Sequence, residues 1–488
     1  MNNPPIRLAW TDFVLDLQDL LLTKNIQTPL YIVGGAVRDA YLRGAIKDID
    51  IAVDGDAIRI ARQITDWLDG DIFVMDKERE VARVFVETMD GQVVLDIARF
   101  RAPTLEDDLY DRDFTVNSMA ADLLGDVSVL IDPLNGEQDL NTKVIRRCTE
   151  HSIQDDPIRI LRAVRQSVQL KLKIHPDTLS DMRKNIEGIN QSSPERIRDE
   201  FFNILKLSMP SRAIRVLQHL NILPLIIANT DKLSSIQQQP PHLFNVWDHT
   251  LLVTERMNSV LTGISPRRTD NTAATFDLGM LIIQFDRYRR QLQDHIFRSY
   301  GNGRTHQQLL ILGALLHNLG KIDSQTSYVQ HSAENAETVA ETLRLTNHEV
   351  KNLSTMIALY RDVLDKSEWS DLDLHQFWYP LQEKGIDVIL LAVADYLGTY
   401  GAELEQASWL EIVERVTILL DTYFNKFEQI VSPPMLLNGN DMMTLLNIQG
   451  GPIVGDLLTA LREAQVTGEV GDLEAARDFV QGQYKKLK

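Results

Sequence analysis

Cysteine is almost absent. Cys148 is the only one among 488 residues, which excludes an internal disulfide framework and a thiolate zinc cluster and fits a reducing compartment. No apolar run approaches the roughly 20 residues a membrane helix needs, and the N-terminal stretch, with Asp12, Asp16 and Asp19, lacks a signal-peptide pattern. A cytoplasmic protein with no membrane partner is expected. Basic charge is also in deficit: 50 Lys and Arg stand against 69 Asp and Glu, a formal net charge of −19. Such a sum argues against nucleic acid, whose phosphates need Lys and Arg, but its distribution is uneven. Between Lys143 and Lys173 lie Lys143, Arg146, Arg147, Arg159, Arg162, Arg165, Lys171 and Lys173, opposed only by Glu150, Asp155 and Asp156. This predicts a local basic surface that RNA could touch.

At this length several domains are expected, since one domain usually takes about 100 to 200 residues. The hydrophobic share of 44% and charged share of 24% are ordinary for a soluble globular chain. Residues 1–26 read as an amphipathic lead-in helix. Strands are predicted at Leu30 to Val33, Ile49 to Val53, Val81 to Glu87 and Val93 to Ala98, with a helix between Asp56 and Leu68. From Asp155 onward nearly everything reads helical. Prolines suggest boundaries at Pro194, around residues 237–241 and at residues 432–434, and residues 262–275 read as an exposed loop. The expected organisation is an α+β chain. Residues 27–150 form an α/β head with a mixed sheet, 151–236 a helical neck, 237–432 a helical body and 433–488 a helical tail.

The most informative stretch is Gly34-Gly35-Ala-Val-Arg38-Asp39 followed by Asp48-Ile-Asp50. Glycines let a backbone approach phosphate closely, and a helix start offers free N–H groups. Asp48 and Asp50, two apart on a strand, share a face and can hold divalent cations. Asp96, in Val93-Val-Leu-Asp96, falls on a strand that could lie beside theirs. Three carboxylates around a triphosphate are what two-metal phosphoryl transfer requires. Asp156 and Arg159, then Arg162 and Arg165, are three apart and would share one helix face, and an Asp with an Arg can present acceptors and a planar donor fork to a base edge.

Five ordered blocks carry a resemblance to the bacterial class II tRNA nucleotidyltransferases, the family of CCA-adding enzymes and bacterial poly(A) polymerases. The glycine and Asp-Ile-Asp block is similar to its catalytic motif. Arg112-Asp113-Phe-Thr-Val-Asn117 resembles its sugar-recognition motif, and Ile131-Asp132-Pro-Leu-Asn-Gly136-Glu-Gln-Asp139 its head-to-neck connector. Asp155-Asp156-Pro-Ile-Arg159-Ile-Leu-Arg162-Ala-Val-Arg165 resembles the base-selecting motif, and Ser193-Pro-Glu195-Arg196 the segment after it. The resemblance implies template-independent addition of C and A to tRNA 3′ ends from CTP and ATP. It implies Mg²⁺ held by Asp48 and Asp50, with Asp96 as a third catalytic carboxylate. It places the triphosphate at Gly35, Arg38 and Arg112, base selection at Asp156 and Arg159, and phosphate contacts at Arg162 and Arg165. Asp132 and Asp139 would fix loop geometry.

The chain departs from the pattern in three places, the first being Asp155 where the base-selecting motif usually opens with glutamate, although Asp156 is kept. Asp111 stands where many relatives have a second arginine, and only Ala102 to Asp111 separate Arg101 from Arg112, where many carry a longer flexible loop. Enzymes adding only CC or only A, and poly(A) polymerases, remain open, as does an RNA-binding protein with vestigial catalysis. Residues 237–432 resemble a decayed HD-type domain: His249, His317, His331 and Asp395 stand at ligand positions, but Asn318 replaces the acidic partner and no histidine lies near Tyr360. A working phosphohydrolase there is the remaining alternative, and Asn318 speaks against it.

Overall fold

The computed structural model describes residues 7–46, 48–89, 91–266, 268, 276–324 and 326–487. The chain divides into two compact units, Met1–Glu200 and Phe201–Lys488, and the division falls inside the helix Pro194–Leu205.

The first unit is built on a six-stranded sheet of β1 (Leu30–Val33), β2 (Asp48–Val53), β3 (Asp71–Asp76), β4 (Val81–Thr88), β5 (Gly91–Arg99) and β6 (Ala120–Asp122). Their order is β3-β4-β5-β2-β1-β6, and all pairs are antiparallel except β2 with β5. The parallel pair needs a crossover, supplied by the helix Ala57–Leu68 and the β3–β4 hairpin strand. That helix starts where Asp56 accepts a hydrogen bond from the Arg59 N–H. Its face of Ile60, Ala61 and Ile64 packs on β3, β4 and β5, burying Val84, Leu95 and Ile97. On the opposite face Val33, Ala52 and Ala120 are covered by Leu109 of the helix Leu105–Tyr110. The start of β2 stays open on this face.

Two of these six strands were not read from the sequence. β3 is an edge strand with no buried side chain, its Phe73 and Met75 exposed, so no apolar contrast marks it. β6 is only three residues long. The lead-in helix is shorter than expected, Asp12–Thr23, and residues 1–6 lie outside the described residues. The stretch expected as a loop begins inside the helix Val246–Ile264, while 267 and 269–275 lie outside the described residues.

The second unit is helical. The helices His306–Leu316 and Lys384–Tyr400 pack on each other and on both Val246–Ile264 and Asn347–Asp365. The first two are buried almost all round, as a helix hydrophobic on every face must be. A separate core of Leu437, Met442, Leu457, Leu461 and Val480 holds the C-terminal helices together. No helix among the described residues is long and apolar enough to cross a membrane.

A buried ion pair ties this unit. Arg304 donates from Nε and Nη2 to the two carboxylate oxygens of Glu349 at 2.7 and 2.8 Å, and Thr346 donates to the same group from its backbone and hydroxyl. Burial alone would push the Glu349 carboxyl up, but Arg304 and Thr346 hold it below its ordinary value of 4.5. A depressed folded-state pKa gives stability that is present above the unfolded value and lost as pH falls through the folded one. Glu349→Gln should therefore lower unfolding stability by about 3 kcal/mol at neutral pH, because it strands a buried guanidinium. Urea midpoints should show the gap closing below about pH 4.5, as the wild-type carboxylate protonates. A gap unchanged at about pH 3 would rule out the charge as its cause.

Candidate active site

β1 ends at Val33, whose register partner across β2 is Asp50. The next residue is Gly34, with φ at +78°. A Cβ there would lie 3.1 Å from Asp50 Oδ2 and 3.3 Å from Arg112 Nη1, so glycine is required both for the turn and for the approach. Gly35 opens the short helix Gly35–Tyr41 beneath the Arg38 guanidinium.

Asp48 and Asp50 both point to the open face of β2, while Ile49 and Ile51 are buried behind them. The parallel register of β2 and β5 sets Asp96 directly beside Asp50. On the far side of β5, Arg83 is the register partner of Asp96 and grips it with two bonds of 2.7 and 2.8 Å. The three carboxylates share a face, but Asp96 has both oxygens engaged. Desolvation raises the Asp50 pKa, and the charges of Asp96 and Asp48 raise it further, against Arg112 and Arg101. Excess negative charge on an oxygen-only donor set suits a hard divalent cation, and Asp48 and Asp50 could hold one.

Two networks line the adjoining region. Arg112 donates to Asp108 Oδ2 from Nη2 at 2.9 Å, and Asp108 Oδ1 accepts the Arg101 N–H at 2.9 Å. Arg38 donates to Asp39 and, through Nη1 at 2.6 Å, to Asn117 Oδ1. Asn117 in turn donates to Asp113 and Gln166, and Asp113 accepts from Arg162 at 2.8 Å. Burial would raise the Asp113 pKa, yet Arg162, Asn117 and the Phe114 N–H lower it overall. Asp132 accepts two backbone N–H bonds from Gly136 and Glu137, and Asp139 bonds Thr115 and Arg146. Both hold loops.

The Asp156 and Arg159 pair differs from the expectation of one helix face. The helix begins at Arg159, and Asp156 lies before it with φ −143° and ψ 91°. Pro157 is the reason, because the residue before a proline is pushed out of the α region. The two side chains still approach, Nε to Oδ2 at 4.0 Å, but each has nearer partners. Arg159 donates to the carbonyls of Asp111, Arg112 and Ser152. Asp156 Oδ2 accepts from Arg196 Nη2 at 2.7 Å, and its Oδ1 is buried with no partner among the described residues. Sequence spacing missed Arg83 and Arg196, which tertiary pairing brings in, and Asp108, which meets Arg112 locally, four residues away.

The expected open basic surface is also corrected. Arg146 pairs with Asp139, Arg147 with Asp181, Arg162 with Asp113 and Arg165 with Glu200, while Lys143, Lys171 and Lys173 stay exposed. Arginines near carboxylates in the fold neutralise them; composition along the chain cannot show this. In the helical unit His249, His317 and Asp395 do converge, with both histidine Nε2 atoms 3.1 Å from Asp395 Oδ1. His331 does not join them and sits at the surface against Glu334. Asn318 Nδ2 lies 2.7 Å from His317 Nε2, Tyr360 packs edge-on against that ring, and Arg361 comes within 3.9 Å of Asp395.

Comparison with known proteins agrees with this layout. Residues 30–146 match the Poly A polymerase head domain, 171–233 the RNA and SrmB binding site of polymerase A, and 325–476 the tRNA nucleotidyltransferase domain 2. The chain is 31% identical to the A-adding tRNA nucleotidyltransferase of Deinococcus radiodurans, covering 92% of this chain and 94% of that protein. It is 26% identical to the CC-adding tRNA nucleotidyltransferase of Synechocystis sp. over 92% of each. Among solved structures, a CCA-adding enzyme with ATP aligns at a TM-score of 0.61 and 21% identity, covering 98% of this chain and 97% of the other. The Thermotoga maritima CCA-adding enzyme with tRNA aligns at 0.54 and 22%, covering 97% and 96%. These last two show likeness of fold. With a glycine turn set against paired carboxylates in the head and similarity running along nearly its whole length, the chain belongs to the tRNA nucleotidyltransferase family.

Proposed function

We propose that this protein extends tRNA 3′ ends with C and A, taken from CTP and ATP without a nucleic-acid template. The observation that carries the proposal is the open face of Asp48 and Asp50, with Asp96 beside them and Gly34 packed against Asp50. The reaction is in-line attack of the terminal RNA hydroxyl on the α-phosphate, with pyrophosphate leaving. Asp48 and Asp50 would hold Mg²⁺, which when bound lowers the pKa of the attacking hydroxyl and neutralises the triphosphate. Asp96, clamped by Arg83, fixes the charge and position of the face. We assign the triphosphate to Gly35, Arg38 and Arg112. We assign base selection to Asp156, steadied by Arg196, while Arg159 holds the backbone of Asp111 and Arg112 beside it. Arg162 and Arg165 act chiefly by fixing Asp113 and Glu200.

One observation favours a narrower product. The ten residues from Ala102 to Asp111 contain the helix Leu105–Tyr110, and Asp108 binds both Arg101 and Arg112. This leaves little slack for a pocket that must change from C to A. Together with 31% identity to an A-adding protein, it supports addition of the final A alone. Transcripts ending before CCA, after C and after CC separate the readings: full synthesis gives extension of all three, A addition gives extension only after CC.

Asp48→Asn and Asp50→Asn should each cut incorporation by about a thousandfold, since several kcal/mol of charge stabilisation is lost, while gel-shift binding of tRNA is kept. A folded double variant that incorporates normally would refute the assignment. Asp156→Ala should relax base choice by about 1 to 3 kcal/mol in nucleotide competition, and Arg196→Ala should do the same more weakly, because it acts through Asp156. Unchanged preference in Asp156→Ala would place base selection elsewhere. The cluster of His249, His317 and Asp395 should be hydrolytically silent, since the Asn318 amide contacts His317 and Arg361 already balances Asp395. Phosphatase or 2′,3′-cyclic phosphodiesterase turnover that vanishes in His317→Ala but survives Asp48→Asn would contradict this.

A further inference from the structure

The helical unit contains a second cluster of histidines and a carboxylate that belongs to no recognised block. His295 lies in the last turn of the helix Arg289–Ile296, His306 opens His306–Leu316, and Asp387 lies in the first turn of Lys384–Tyr400. Their ligand atoms all lie within 4.8 Å of one another, and all three residues are 2% exposed. Asp387 is eight residues before Asp395 on its helix, roughly 12 Å away, so the two clusters are separate.

With the Asn352 amide oriented as it is, the contacts conflict as hydrogen bonds alone. His306 Nδ1 lies 3.1 Å from Asp387 Oδ2 and 3.1 Å from the Tyr300 hydroxyl. If Nδ1 carries a proton, the bond to Asp387 is made, but the Tyr300 hydrogen has no acceptor, because Asn352 also presents a donor to that hydroxyl at 2.9 Å. If Nδ1 carries none, Tyr300 can donate to it, but its lone pair then faces a carboxylate. Asn352 adds a second signal. It is 2% exposed, its Nδ2 points to Asp387 Oδ2 at 3.3 Å, and its Oδ1 has no partner among the described residues. A buried polar atom left unpaired is costly.

A cation removes the conflict. We propose that His295 Nε2, His306 Nδ1 and a carboxylate oxygen of Asp387 bind one divalent transition metal of the zinc class. Two imidazoles and a carboxylate are a favoured donor set for such an ion. With both lone pairs on the metal, neither histidine need share a proton with Asp387. Half a turn of the Asn352 amide then lets Oδ1 accept the Tyr300 hydrogen and face the ion. Among the described residues Asp387 has no Lys or Arg within 4.0 Å, its ion-pair partners being the two histidines, whereas Asp395 already has Arg361 at 3.9 Å. The ligands come from three helices, so the ion would pin the unit and take no part in nucleotide transfer. The site stands independently of the head chemistry.

The test uses the full chain, stripped with chelator, loaded with Co²⁺ and desalted. About one equivalent of Co²⁺ should be retained, with the visible absorption of a low-coordinate nitrogen–oxygen site. His295→Gln and His306→Gln should each lose it, while His249→Gln and Asp48→Asn should keep it. Zn²⁺ should raise the melting temperature of the wild type by several degrees and leave that of His306→Gln unmoved. Should the variants fail to fold, hydrogen–deuterium exchange at the histidine C2 positions of the wild type gives the same information. Zn²⁺ should slow exchange at His295 and His306 and leave His249 and His317 unchanged. Stripped wild type that retains no Co²⁺, or protection confined to His249 and His317, would overturn the proposal.

Discussion

Like charge on one sheet face is the constraint on which the head depends. The parallel pairing of β2 and β5 sets Asp50 beside Asp96, with Asp48 two residues away on the same face. Such an arrangement repels itself unless cations answer it. Arg83 answers Asp96 through the antiparallel hairpin, and Arg112 and Arg101 reduce the shift at Asp50. The remaining excess faces the open end of β2, next to the only residue type that fits at Gly34. That uncompensated charge is the physical basis of the metal site proposed above.

Much of this was legible in the sequence because it is local. The period of two that sets Asp48 and Asp50 on one face and the glycines before a short helix both act over a few residues. What could not be read depends on register and topology. Arg83 meets Asp96 only once β4 and β5 are paired at one register. Arg196 meets Asp156 across 40 residues, and the arginines of residues 143–173 look free until the fold brings carboxylates to them. The displacement of Asp156 from the helix was readable, since Pro157 follows it, but equal spacing along the chain concealed it. His295, His306 and Asp387, separated by 11 and 81 positions, form no pattern at all.

The helical unit solves a different problem, that of burying charge among apolar helices. Glu349 is matched by Arg304, Asp395 by two histidines and Arg361, and Asp387 by two histidines and an amide. Each carboxylate has its pKa lowered despite burial, so each stays charged at neutral pH and ties separate helices together. This gives His249 and His317 a structural role as partners of Asp395. Buried pairs of this kind are poor sources of net stability but strict about geometry.

The central claim is that the open face of β2 holds the divalent cations of the reaction. Replacing Mg²⁺ by Fe²⁺ and adding ascorbate and peroxide generates radicals that cut the backbone beside the bound ion, and mass spectrometry locates the cuts. The account predicts cuts flanking Asp48, Asp50 and Asp96, suppressed by excess Mg²⁺ and lost in the Asp48→Asn, Asp50→Asn double variant. A folded, active protein that is cut only in the helical unit, with the head untouched, would contradict it.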